Sequence, residues 1–138
     1  MNKILSKEQF SEKVFCMEVE APLIAHSCRP GNFIIVRVDK NSERVPYTIA
    51  KSDDKKGTIT LVIQEVGLSS TKFCKLNVGD SVLDIVGPLG NASHIENYGT
   101  VICAGGGIGI AAILLFSQPL KRRETRSSQY LPEEPRNL

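Results

Sequence analysis

The chain has 138 residues, 41% hydrophobic and 23% charged, an ordinary composition for a globular protein of one domain, or of one domain and a fragment. No apolar run reaches the roughly 18 residues of a transmembrane helix, and the start, MNKILSKEQF, lacks the apolar core of a signal peptide, so the expectation is a cytoplasmic protein with no membrane partner. The net charge of +2 sits wholly in residues 121–138, and a neutral body argues against a nucleic-acid surface.

Residues 2–20 alternate loosely between apolar and polar, with the stretch VFCMEVEA strand-like and ended by Pro22. Arg29-Pro30-Gly31 signals a turn, and the β-branched run Phe33 to Val38 predicts a strand. A further strand is expected over Arg44 to Ala50. Pro46 lies inside it and has no N–H to give, which predicts an edge or a bulge. After the polar tip SDDKKG comes TITLVIQEV (58–66), the clearest period-2 strand of the chain. Thr71 to Leu76 is predicted as a short helix capped by Ser69 or Ser70. Ser81 to Val86 follows as a strand that Gly87-Pro88-Leu89-Gly90 should end. About six short strands and one short helix indicate an antiparallel barrel.

At Val101 the pattern changes. Val101 to Ala104 reads as a strand, Gly105, Gly106, Gly107, Ile108 and Gly109 as a glycine turn, and Ile110 to Leu120 as a helix that Pro119 ends or kinks. Strand, glycine turn and helix together suit backbone approach to a phosphate, although a tight turn alone has the same composition. The helix is apolar nearly all round and should be buried against a sheet.

Cys16, Cys28, Cys74 and Cys103 are widely spaced with no C-x-x-C, which favours buried reduced thiols, and no metal site is expected. His26 and His94 have no partner motif and receive no catalytic role. No Ser/His/Asp set or carboxylate pair stands out. Two other stretches carry chemistry: Pro46-Tyr47-Thr48, otherwise an edge strand with a half-buried Tyr, and Gly67 to Thr71, either a capped helix start or an anion site.

The series RPGNFIIVRV (29–38), ERVPYTIA (43–50), GTITLVIQEVGLSSTKF (57–73), GDSVLDIVGPLG (79–90) and VICAGGGIGIA (101–111) resembles the ferredoxin–NADP reductase superfamily. Within it the pattern is most similar to the flavoprotein subunits of sulfide dehydrogenase and NADH-dependent ferredoxin:NADP oxidoreductase, with the dihydroorotate dehydrogenase electron-transfer subunit a near relative. The resemblance implies a mainly β fold: a six-stranded antiparallel Greek-key FAD-binding barrel (1–97), then a partial α/β NAD(P)-binding domain (98–121). It implies that Pro46, Tyr47 and Thr48 line the isoalloxazine, with Tyr47 and Thr48 at the reacting ring. Val62, Ile63 and Gln64 would lie beside ribityl and ring, and Gly67, Ser69, Ser70 and Thr71 would hold the diphosphate. The glycine loop would approach NAD(P)H. Hydride passage between nicotinamide and flavin needs no side-chain acid or base, which agrees with the missing constellation.

One departure concerns an Arg that many relatives place three residues before the Ser or Thr. That position is Val45 here, and the Arg is Arg44, which neighbours it on the opposite strand face. The other lies at the end. Relatives continue with further strands and a cysteine cluster for a [2Fe–2S] centre, and neither is encoded here. Residues 122–138 are expected to be a disordered, out-of-frame tail of a truncated nucleotide domain. The parent would be a flavin oxidoreductase subunit passing electrons between NAD(P)H, FAD, an iron–sulfur centre and a larger partner subunit. The chain itself is expected to bind FAD, to bind NAD(P)H weakly or not at all, and either to be poorly soluble or to depend on a partner. The alternatives are the dihydroorotate dehydrogenase electron-transfer role and a non-catalytic β-barrel interaction module.

Overall fold

A computed structural model of the chain describes residues 2–122. Six strands form in chain order: β1 (Ile4–Ser11), β2 (Val14–Glu20), β3 (Phe33–Arg37), β4 (Val45–Asp53), β5 (Thr58–Gln64) and β6 (Asp84–Leu89). Three helices accompany them: α1 (Pro22–Ser27), α2 (Leu68–Cys74) and α3 (Gly109–Arg122).

All neighbours are antiparallel, in the order β1-β2-β5-β4-β3-β6. Strands β3, β4 and β5 form a meander, and β6 returns to lie beside β3, which is the Greek-key arrangement. The two ends of the sheet meet at an antiparallel bridge between Lys3 and Ser81. There the Ile4 N–H donates to the Asp80 carbonyl at 2.8 Å, and the Gly79 N–H to the Ile4 carbonyl at 2.8 Å. The expected mainly β six-stranded antiparallel fold is the one observed.

Period-2 alternation puts one face of each strand inside. Ile59, Leu61 and Ile63 of β5 are fully buried, with Met17 and Val19 of β2, Ile34 of β3 and Ile49 of β4. Phe73 of α2 plugs the same core. Each such side chain contributes roughly 1.5–3 kcal/mol by leaving water.

Several expectations are corrected. Pro22 does not merely end a strand: it opens α1, where its missing N–H would have had no intrahelical partner. Helix α2 starts three residues earlier than expected, with Gly67 as its N-cap rather than Ser69 or Ser70. Ser70 is the third helical residue and reaches back to the cap. Strand β6 runs through Gly87-Pro88-Leu89 instead of stopping there. Val101 to Ala104 form no strand, since among the described residues no neighbouring strand offers them a ladder. Helix α3 continues past Pro119 and packs against β4, with Leu115 touching the barrel core. Arg122 still belongs to α3, and the rest of the expected tail lies outside the described residues.

Strand β4 lies inside the sheet, not at its edge. Its two halves have different neighbours, however. Val45 to Thr48 pair with β3, whereas β5 pairs only from Ile49 onward, beyond which the register shifts at Ala50. Pro46 thus lies where β4 has a partner on one side only, which is the local condition its missing N–H requires.

Candidate functional site

The register at which β4 and β5 part company creates the site. Ile49 faces Leu61; continued, the ladder would set Tyr47 against Ile63, but it stops. Residues 45–48 of β4 and 62–64 of β5 are therefore two unzipped lips, each paired, among the described residues, only on its far side, with β3 and β2 respectively. A strand directs its backbone groups alternately to its two sides, so each lip turns some N–H and C=O groups into the gap. Polar backbone in such a gap needs water or a ligand.

A cleft of about 560 Å³ occupies this gap. Pro46 and Tyr47 line one wall, Gln64 the other, and Gly67, Ser69 and Ser70 the end, with Ile108 of the glycine turn reaching its rim. An adjoining cleft of about 370 Å³ is lined by Val62, Gln64, Gly107 and Ile108. The three sequence stretches meet here, although far apart in the chain.

Within each stretch the roles differ. Tyr47 turns inward, edge-on to Phe73 with centroids 5.5 Å apart and planes at 70°. Burial, and secondarily Cys74, push its phenol up to about 12. Pro46 and Thr48 are exposed, on the other strand face, and the Thr48 side chain does not line the larger cleft. Ile63 is fully buried in the core, so only its backbone can meet a ligand. The exposed Gln64 and the half-buried Val62 present side chains outward.

At the cleft's end, the Ser70 hydroxyl accepts from the N–H groups of Val66 and Gly67, both at 3.0 Å, and donates to the Gly67 carbonyl at 2.9 Å. It is committed to shaping the turn. Ser69 keeps its hydroxyl at the cleft, while Thr71 lies outside the lining. Gly67 has an extended φ of −160°, and a Cβ there would meet nothing within 4 Å. No contact among the described residues therefore requires glycine at 67.

Gly107 has φ +53° and shapes the second turn, whose 3₁₀-type bonds run from Gly109 N–H to Gly106 C=O and from Ile110 N–H to Gly107 C=O. Gly105, Gly106 and Gly109 are exposed and line neither cleft. Arg44 turns away as well: its guanidinium pairs with Asp84 of β6 at 3.1 Å. The cysteines depart from the expectation of buried thiols. Cys74 is buried, Cys16 and Cys28 are half-buried, and Cys103 is exposed beside the glycine turn.

Sequence reasoning reads Asp39 to Glu43 only as a polar turn and gives it no part in the site, yet Asn41, Ser42 and Glu43 line the cleft, as does Lys72 of α2. Nothing in their local pattern marks them, because only the barrel's curvature brings them to Gly67.

Residues 2–94 match the family model described as oxidoreductase FAD-binding domain. The chain is 38% identical over 121 residues to a Thermotoga maritima protein called dihydroorotate dehydrogenase B (NAD(+)), electron transfer subunit homolog, covering 88% of this chain and 43% of that protein. It is 27% identical over 136 residues to the dihydroorotate dehydrogenase B electron transfer subunit of Enterococcus faecalis, covering 95% and 51%. A solved NADH-dependent reduced ferredoxin-NADP oxidoreductase superposes with a TM-score of 0.89 at 37% identity, over 91% of this chain and 45% of that one. Phthalate dioxygenase reductase, at a TM-score of 0.74 and 21% identity over 91% and 43%, shares the fold. The chain spans about half the length of the curated relatives it matches.

Proposed function

The chain belongs to the oxidoreductase FAD-binding domain family, and from that premise we propose that the gap between β4 and β5 holds FAD as part of an electron-transfer flavoprotein. The observation that carries this is the pair of unzipped lips ending at a glycine whose Cβ direction is empty.

In this reading Pro46–Thr48 and Val62–Gln64 flank the isoalloxazine. The aromatic and flat apolar groups of the first stretch offer it a face, and lip amides and carbonyls supply its edge hydrogen bonds. Gly67, Ser69 and the first α2 amides receive the diphosphate, with the Ser70 hydroxyl holding that turn in shape. When bound, FAD would supply the two-electron redox chemistry. Phe73 supports the Tyr47 ring from the core, and burial keeps the Tyr47 phenol neutral.

Residues 1–97 are proposed as the FAD-binding barrel and 98–121 as the opening of an NAD(P)-binding domain, with Gly105–Gly109 the approach for the nicotinamide dinucleotide. The whole protein would work with a larger subunit and an iron–sulfur centre. The names of several relatives also favour a second role, as the electron-transfer subunit of a dihydroorotate dehydrogenase; the identity of the larger subunit that co-purifies with the full-length protein separates the two. The cofactor reading is tested by equilibrium dialysis of the full chain against FAD. One flavin retained per chain with shifted visible bands is expected, and a colourless, unchanged protein overturns it.

A further inference from the structure

The cleft presents a charge problem. A flavin phosphate would bring negative charge to a lining that already contains Glu43, while Arg44 is turned away to Asp84. Among the described residues, the one cation in the lining is Lys72, whose ammonium lies 3.3 Å from the Asp39 carboxylate and 3.4 Å from the Ser42 hydroxyl. Both partners belong to the turn between β3 and β4, itself braced by the Asn41 N–H donating to Asp39 at 2.8 Å. The Ser42 hydroxyl, more than the lysine, holds the Asp39 carboxyl below its ordinary range. An ammonium has three protons to donate. Two go to Asp39 and Ser42 over long distances, and the third has no partner among the described residues.

Resting on the FAD reading, we infer that Lys72, held at the cleft wall by Asp39 and Ser42, is the cation that meets the flavin's phosphate. It takes the part that Arg44 cannot. The site then selects phosphorylated flavins, because riboflavin offers Lys72 nothing.

Fluorescence titrations of the full chain with FAD, FMN and riboflavin test this. Wild type should bind FAD and FMN more tightly than riboflavin. Lys72→Met should weaken both phosphorylated flavins by about ten- to hundredfold and leave riboflavin unchanged, which also reports an intact fold. Lys72→Arg should retain most of the affinity. Equal FAD affinity in Lys72→Met and wild type overturns the role of Lys72 and leaves the cofactor reading standing. A wild-type chain that binds none of the three overturns both.

Discussion

The Tyr47 ring stands edge-on to Phe73, 5.5 Å between centroids, so the outer lip of the cleft rests on the barrel's core helix. Such a contact contributes about 0.5–1.5 kcal/mol beyond area burial. Tyr47→Phe keeps the ring edge and should leave stability within about 0.5 kcal/mol of wild type. Tyr47→Ala removes the contact and should both destabilise and weaken flavin binding, as urea melts and flavin titration will show.

The same burial gives a pH signature. Tyr47 is pushed from 10.0 to about 12 and Cys74 from 9.0 to about 11, each chiefly by desolvation. The unfolded chain releases these protons first. Stability from them is therefore complete below about pH 9, falls as pH rises, and is lost above about pH 12. Urea melts across that window should show the decline. Tyrosinate absorbance should show one late-titrating Tyr that Tyr47→Phe removes.

Strand β5 separates stability from binding within adjacent residues. Ile63 is fully buried, so Ile63→Ala should cost about 2–5 kcal/mol, with an unchanged urea m-value. Gln64 is exposed on the lip, so Gln64→Ala should stay within about 0.5 kcal/mol in stability and act on flavin affinity instead.

That alternation was legible: TITLVIQEV announces both its strand and its inner face. So was the glycine at 67 followed by serines, although the cap was misread, because a hydroxyl can serve from the third helical position as well as from the cap. Pro22 and Pro88 misled for a shared reason. Proline was read as a stop, but at the first turn of a helix, or in a sheet's outermost strand, its missing N–H leaves no bond unmade. Val101 to Ala104 has strand composition yet no strand, since a strand is a property of its neighbours as much as of its residues. Lys72 was invisible for a similar reason. Its significance comes from Asp39 and Ser42, some thirty residues away, and no local pattern encodes that meeting.

Ser70 offers a test of how the cleft's end is built. Ser70→Ala leaves the Val66 and Gly67 N–H groups without their acceptor, which should cost about 1–3 kcal/mol in urea denaturation. Gly67→Ala meets no obstacle within the chain, so stability should hold while FAD affinity falls. The two variants thus separate a structural residue from one that leaves room for a ligand.

Amide hydrogen exchange of the full chain with and without saturating FAD tests the central claim most directly, because it reads the two lips themselves. FAD should slow exchange at Tyr47 and Thr48, at Val62 to Gln64 and at Gly67 to Thr71, and leave the β1–β2 ladder unchanged. Bound FAD with no added protection in these segments, or with protection confined elsewhere, would contradict the account.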